Sequence, residues 1–342
     1  MDIAHLPFIS ILVAARNEEA NIASCIEALL NQNYPAEKTE IWVGNDQSED
    51  GTSNIIKNFV ESNQRVHLLE IEKPIMHLSG KANVLAQLAH QVKGEYLLIT
   101  DADSTVEPTW VKTMLSYFEP GVGVITGVTV VKGRSLFAAL QNAEWLFYTA
   151  HGHYNALRGK PVTAMGNNMA VSSAAYREIG GYENIPFSVT EDYELFRNIL
   201  KNGFSFKSVF EHDALGYTEP HPTFKLLLHQ RKRWFTGAFQ LPIGFVLGLI
   251  ALWAFLPVLL IMSYFTGWLS PLLIFCIKWI TDIIFLAFNY RKLKLKVDMA
   301  VWLYTPFFSV CNTIFLFYQF MPDPVQWKGR KYLKTYHKGI ET

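Results

Sequence analysis

The 342-residue chain carries 30 basic and 30 acidic side chains, so its formal net charge is zero and no overall field argues for a nucleic-acid partner. Half of the residues are hydrophobic, a length and composition that suit two modest domains or one domain with an apolar appendage. The three cysteines, Cys25, Cys276 and Cys311, lie far apart, which argues against a disulfide framework or a zinc site and fits a reducing compartment.

Met1 to Pro7 lacks the basic and cleavable parts of a signal peptide, so the N-terminus is expected in the cytoplasm. From Phe8 to about residue 210, short β-branched runs alternate with amphipathic stretches, the pattern of an α/β domain. Strands are predicted at Phe8–Ala15, Ile41–Gly44, Val66–Ile71, Tyr96–Thr100 and Val122–Val131. Helices are predicted between them at Ala20–Leu30, Ser53–Glu61, Lys81–Val92 and Thr109–Phe118, punctuated by Pro35, Gly94 and Pro108. The middle strands carry almost no polar residues, so helices should cover both faces of a mostly parallel sheet. Ligands bind along the carboxyl edge of such a sheet. Asp46 follows the second strand, and Asp101 and Asp103 follow the fourth, so all three are expected on that edge.

Asp101 and Asp103 stand one residue apart directly behind an apolar run. Two carboxylates so held can share a hard cation such as Mg²⁺ or Mn²⁺, which keeps coordination sites open for phosphate oxygens. A solvated Asp-rich turn is the plainer reading of such a pair taken alone. His151 and His153 alternate on what reads as a helix end and suit ordinary packing, and no Walker loop, serine elbow or zinc spacing is present.

Beyond Trp234 the composition changes. Residues 241–290 contain only Lys278 and Asp282 as charges, and 299–320 contain none. Three hydrophobic segments are predicted, roughly 241–263, 268–289 and 299–321, each near the ~20 residues that cross a bilayer. Lys278 and Asp282, four apart, can pair on one helix face. The basic stretches 291–296 and 327–338 both read as cytoplasmic, which three full spans cannot satisfy together with a cytoplasmic N-terminal domain. Either one segment, the first with Pro242 and Pro257 or the third with Pro306, is re-entrant or interfacial, or the tail lies outside.

Several motifs together resemble the family 2 inverting glycosyltransferases of the GT-A fold. ILVAARNEE (11–19), NDQSEDGT (45–52), GKANVLAQ (80–87), DAD (101–103), IGGY (179–182), TED (190–192) and QRKRW (230–234) occur in that family's order across some 220 residues. The resemblance implies a Rossmann-like α/β catalytic domain over 1–235, a membrane region over 236–322 and a basic tail over 323–342.

It also implies roles. Asp46 would accept a hydrogen bond from the base, uracil rather than guanine, with Arg16 and Glu18 near base and ribose; Asn45 and Gln47 depart from the family's usual turn. Lys81 would meet phosphate or ribose, although an exposed helix lysine is the plainer alternative. Asp103 would bind the divalent cation directly, and Asp101 the ribose or the metal through water. Asp192 would take the proton of the acceptor hydroxyl, with Glu191 and Glu194 near in sequence as acids that raise its pKa. An acid-rich helix start favoured by the helix dipole is the alternative for this stretch.

Gln230, Arg233 and Trp234 would lie under the active site, Arg233 at the diphosphate and Trp234 at the acceptor, while Arg231 and Lys232 anchor at the membrane surface. GNNMAV (166–171) is similar to the family's acceptor-side strand, where Asn167 and Asn168 bind sugar hydroxyls or merely make a turn. His212 and His221 are candidates for a further diphosphate contact. WKGRKY (327–332) resembles a motif that follows the last apolar segment of lipid-glycosylating members, those acting on ceramides and carotenoid acids, or is a basic-aromatic anchor. The implied enzyme moves one sugar from a nucleotide donor, a UDP-sugar, to a membrane lipid, and sits in the cytoplasmic membrane as a multi-pass protein. A processive polysaccharide synthase and an inactive membrane-anchored binding module are the other classes carried.

Overall fold

The computed structural model describes residues 6–161, 164–188, 190–238, 241, 243–319, 321, 325–327 and 330–332, without the side chains of 235–238, 325–327 and 330–332. These residues fall into two compact units, 6–129 with 164–218, and 130–161 with 219 onward.

The first unit opens with β1 (Ile9–Ala15), α1 (Ile22–Leu30), β2 (Thr39–Asn45), α2 (Thr52–Ser62), β3 (Val66–Glu70), α3 (Gly80–Ala89) and β4 (Tyr96–Asp101). It continues with β5 (Ser104–Val106), α4 (Trp110–Leu115), β6 (Val122–Thr126) and the start of β7 (Thr129–Val131), then β8 (Met169–Ser172), α6 (Ser173–Glu178), α7 (Glu191–Lys201), β9 (Ser205–Ser208) and β10 (Gly216–Thr218). Seven strands form one sheet in the order β3-β2-β1-β4-β8-β6-β9. β1 pairs in parallel with β2 and β4, and β2 with β3, while β8 runs antiparallel to both β4 and β6.

The register sets the working edge. Ala14 lies opposite both Gly44 and Asp101, so the chain leaves β1, β2 and β4 at one level. Ile9, Ile11, Val13, Ile41, Val43 and Leu98 are completely buried with Ile22, Ile26 and Trp110 in one apolar cluster. Each such side chain contributes roughly 1.5–3 kcal/mol on burial, which fixes the strands and therefore the turns at their ends.

Three features depart from the predicted elements. The stretch Val122–Val131 is two strands, because Gly127 passes so close to Asn168 that a Cβ there would stand 2.2 Å from its Oδ1. Residues 104–106, directly after Asp103, form β5, which pairs antiparallel with β10 from Val106↔Gly216 to Ser104↔Thr218. β8 enters between β4 and β6 in the opposite direction, within a sheet that is otherwise parallel as expected.

The second unit contains α5 (Leu136–Ala156), α8 (Phe224–Ala238), α9 (Ile243–Thr266), α10 (Leu269–Lys292), α11 (Met299–Tyr318) and a hairpin of β11 (Val325–Trp327) and β12 (Arg330–Tyr332). Ser135 caps α5 by accepting from Ala138 N at 3.1 Å, and Asp298 caps α11 by accepting from Ala300 N at 2.9 Å. α5 packs on α10 and α11 through Phe147 against Phe285 and Tyr304, and Tyr154 donates to Asn289 at 2.9 Å.

Helices α9, α10 and α11 are long and apolar enough to cross a membrane, with mean hydropathy 2.7, 2.0 and 1.5 over their most apolar windows. Leu247, Val258, Ile261, Phe265, Ile277, Ile284 and Phe317 are exposed along them, a surface that water would not tolerate over such an area. Lys278 and Asp282 pair at 2.5 Å as the spacing predicts, and Thr305 of α11 donates to the same carboxylate oxygen at 2.6 Å. Of the WKGRKY stretch, the hairpin contains the backbone of Trp327 and of 330–332; Lys328, Gly329 and the tail from 333 lie outside the described residues.

Candidate active site

The turns that carry Arg16, Glu18 and Asp46 follow β1 and β2. Asp46 N donates to Ala15 O at 2.8 Å, which holds the second turn against the first. Arg16 Nη1 donates to the backbone oxygen of Asp46 at 2.7 Å and reaches that of Gln47 at 3.4 Å, so the guanidinium braces the turn whose carboxylate Asp46 supplies. Asp46 and Glu18 are both buried, and Glu18 N donates to Thr52 Oγ1 at 2.7 Å at the start of α2. Gln47, where the family's turn commonly has glycine, sits at φ 54°, a left-handed conformation that costs a non-glycine residue about 1–2 kcal/mol.

Lys81 organises the acidic centre. It stands in the first turn of α3, and its Nζ lies 2.5 Å from Asp101 Oδ1, 3.2 Å from Gly166 O and 3.4 Å from Glu191 Oε1. The side chain is only 11% exposed, so the alternative of a solvated helix lysine does not hold. Burial alone would favour the neutral amine, but Asp101 first, then Glu191 and Asp192, hold the ammonium pKa above its usual value.

Asp103 lies between the end of β4 and the start of β5, both pinned by pairing. Burial, then the neighbouring Asp101 charge, pushes its carboxyl up to about 6, against the opposing pull of Lys81 and a hydrogen bond from Ser104. Among the described residues no group of three or more His, Cys, Asp or Glu forms a metal cluster. Two carboxylates one residue apart at a strand end nevertheless fit a hard cation that takes its remaining ligands from a diphosphate.

Asp192 occupies the first turn of α7, with Glu191 and Glu194, where the helix dipole favours anions. Its Oδ2 accepts from Gly166 N at 2.7 Å and its Oδ1 from Tyr193 N at 2.8 Å. A Cβ on Gly166 would come within 2.8 Å of the Asp192 Cβ and 3.1 Å of Lys81 Nζ, so only glycine lets this backbone approach both groups. Gly166, lying unassigned in GNNMAV, is the residue sequence reasoning missed here. Of the two acids expected to act on Asp192, Glu191 faces Lys81, and Glu194 accepts from Asn198 at 2.9 Å and pairs with Arg197 at 3.7 Å.

Of the two asparagines before β8, Asn168 has its side chain fully engaged within the protein. Asn168 is fully buried: Oδ1 accepts from Trp110 Nε1 at 2.8 Å, and Nδ2 donates to Val128 O and Ala214 O, both at 2.9 Å. Both amide protons are spent inside the protein, so Asn168 is a strut between β6, β8 and the chain before β10. Asn167, also buried, accepts from Thr129 Oγ1 at 3.0 Å.

In the second unit, Gln230, Arg233 and Trp234 share α8. Arg231 and Lys232, expected as a surface anchor, are instead buried. Arg231 makes a two-bond ion pair with Glu144 of α5, and Lys232 Nζ donates to Met321 O at 2.8 Å. A basic run beside an apolar segment reads as an anchor in sequence; the lone Glu144 inside an apolar helix was the signal that one of these charges has a buried partner. His221 exchanges two backbone bonds with the Gln141 amide, and burial, then Arg231, lowers its pKa to about 4 against a hydrogen bond with Gln230. His212 lies 3.5 Å from Asp213, and His151 bonds the Phe147 carbonyl at 2.8 Å within α5.

Residues 7–237 match the family model described as "Glycosyltransferase like family 2", and the chain belongs to that family. It is 29% identical over 245 residues to a beta-monoglucosyldiacylglycerol synthase of Trichormus variabilis, covering 69% of this chain and 50% of that protein. It is 26% identical over 237 residues to a poly-beta-1,6-N-acetyl-D-glucosamine synthase of Staphylococcus epidermidis, covering 68% and 55%. The chain thus spans about half the length of these curated relatives. Among solved structures, the mannosyltransferase PcManGT of Pyrobaculum calidifontis, crystallised with GDP-Man and Mn2+, aligns over 91% of this chain and 89% of its own with a TM-score of 0.59 at 18% identity. That likeness carries the GT-A fold.

Proposed function

We propose that this chain is a membrane-bound inverting glycosyltransferase that moves a sugar from a nucleotide donor, a UDP-sugar by preference, to a membrane lipid. The observation that carries the reading is the Lys81 ammonium, bonded to Asp101 on the donor side and to Glu191 beside Asp192 on the acceptor side. The lipid acceptor is supported by three apolar helices in the same chain and by a relative whose name is that of a glucosyldiacylglycerol synthase.

In this reading 1–235 form the catalytic domain on the cytoplasmic side, 236–322 the membrane region and 323–342 a basic tail. Asp46 binds the base, with Arg16 and Glu18 supporting its turn. Asp101 and Asp103 would hold Mg²⁺ or Mn²⁺, which when bound would supply positive charge against the diphosphate leaving group. Asp192, fixed by the Gly166 amide, takes the proton of the acceptor hydroxyl as that oxygen bonds to the anomeric carbon. The bond from that carbon to the diphosphate breaks on the opposite face, and the nucleoside diphosphate leaves with the electron pair. Lys81 neutralises Asp101 and Glu191, Arg233 meets the diphosphate, and Gln230 and Trp234 receive the acceptor.

The test incubates lipid-reconstituted protein with UDP-glucose, UDP-galactose, UDP-N-acetylglucosamine and GDP-mannose, Mn²⁺ or Mg²⁺ and a membrane lipid extract, followed by mass spectrometry. One lipid gaining a single sugar mass supports the reading. A ladder of masses would replace it with the second reading, a polysaccharide synthase, which the poly-beta-1,6-N-acetyl-D-glucosamine synthase relative favours. Donor binding without turnover for any lipid would leave an inactive binding module.

A further inference from the structure

Glu144 is 1% exposed and Arg231 4%, and the roles assigned above use neither. Arg231 Nε donates to Glu144 Oε1 at 3.1 Å and Nη2 donates to Oε2, so two parallel bonds fix the plane of the guanidinium. From that plane Nη1 donates to Gln230 Oε1 at 2.8 Å, and Cζ lies 4.2 Å over the Trp234 ring. Trp145, the residue after Glu144, packs on Trp234 with ring centroids 4.8 Å apart. Two of the three motif side chains on α8 are therefore held by one cation, which a carboxylate on α5 holds in turn.

Apolar side chains of similar volume would join α5 and α8 at least as well, because desolvation offsets most of the attraction in a buried ion pair. What the pair supplies is direction. A bidentate guanidinium has one plane, and that plane aims one donor at Gln230 and one face at Trp234.

We propose that Glu144, acting through Arg231, is a positioning residue for the acceptor, locking the Gln230 amide and the Trp234 indole as a preformed platform for a hydroxyl-bearing lipid headgroup. The proposal rests on the reading that Gln230 and Trp234 serve the acceptor. Preforming the platform removes the ordering cost from acceptor binding, so its loss raises the acceptor constant rather than the donor constant.

The test uses the full-length protein in vesicles, with the four sugar nucleotides above and the membrane lipid extract diluted into phosphatidylcholine. UDP and GDP binding are measured separately by calorimetry. Trp234→Ala serves as reference. Glu144→Gln and Arg231→Lys are expected to raise the apparent acceptor KM about tenfold while nucleotide affinity stays within about twofold, and Glu144→Asp, which keeps the carboxylate, to recover part of the loss. An unchanged acceptor KM in folded Glu144→Gln or Arg231→Lys, with Trp234→Ala impaired, overturns the positioning role alone. Parallel losses in acceptor and nucleotide binding overturn it as well, since they report general loosening. If Trp234→Ala itself spares the acceptor KM, the acceptor-side reading falls and this proposal with it. Should Glu144→Gln not fold, Trp145→Phe is expected to raise the acceptor KM about threefold by loosening the ring contact, and an unchanged value overturns the proposal.

Discussion

Lys81 Nζ lies 2.5 Å from Asp101 Oδ1, so the cation of the first turn of α3 is bonded to the acid that ends β4. Glu191, 3.4 Å from the same nitrogen, brings α7 into the arrangement. Replacing Lys81 by Met keeps the volume and removes the charge, leaving Asp101, Glu191 and Asp192 without their common counter-ion. The expected outcome is a stability loss of about 2–3 kcal/mol, below the full cost of breaking a buried pair because Asp101 is partly solvated. Thermal unfolding checks the first part. Activity is expected to fall at least about a hundredfold, with Lys81→Arg intermediate because its fork cannot reproduce a point charge at 2.5 Å.

Asp192 and Gly166 give a paired prediction. Asp192→Asn keeps an oxygen for the Gly166 amide but cannot take a proton, so kcat is expected to drop roughly 10²–10⁴-fold while nucleotide affinity changes little. Gly166→Ala drives a methyl group to within 2.8 Å of Asp192 and 3.1 Å of Lys81, and is expected to cost about 1–3 kcal/mol of stability together with most of the activity. Steady-state kinetics beside calorimetric nucleotide binding checks both. A large loss of nucleotide affinity in Asp192→Asn would remove Asp192 from the role of base.

The contrast between these two residues marks how far the sequence reached. The strands that lead into Asp46 and Asp101 were legible because apolar β-branched runs have few other places to go. The three apolar helices were legible for the same reason, by length and lack of charge. The approach of Gly166 to Asp192 and the strut role of Asn168 were not legible, because each depends on a contact between residues 26 and 58 positions apart that no local pattern records, whereas Glu144 stood out as a lone acid in an apolar helix but its partner, 87 positions away, did not. Arg231 was read as a surface anchor, and for Lys81 an exposed helix position stood beside the donor-site reading, because lysine and arginine usually are solvated; only packing reveals the carboxylates beside them.

His221 predicts a pH dependence of stability. Its pKa is lowered from 6.5 to about 4, chiefly by burial and then by Arg231. The folded state therefore binds fewer protons than the unfolded chain between these values, so stability rises with pH across that window. It is fully present above about pH 6.5 and lost as pH falls toward 4, by up to about 3 kcal/mol. Measured from pH 7 to 4.5, the melting temperature of the protein should fall relative to that of His221→Gln, which has no group to titrate there, once other groups are matched. Parallel curves would show that His221 titrates alike in both states.

The Lys278–Asp282 pair separates a structural from a merely tolerated charge inside α10. The two groups meet at 2.5 Å, Thr305 of α11 donates to the same Asp282 oxygen at 2.6 Å, and Asp282 is buried. Lys278→Leu leaves that carboxylate with the Thr305 hydroxyl as its remaining hydrogen-bond partner among the described residues, which is expected to cost about 3 kcal/mol or more. Lys278→Leu with Asp282→Leu removes both charges, so the double variant is expected to lie within about 1 kcal/mol of the parent, making the two substitutions strongly non-additive. Thr305→Val should weaken the parent by about 1 kcal/mol and leave the double variant unaffected, because its hydroxyl then has no carboxylate to serve. Thermal stability in detergent micelles across this set checks the cycle. Additive losses would mean that the two charges act independently and that α10 and α11 are held together without this pair.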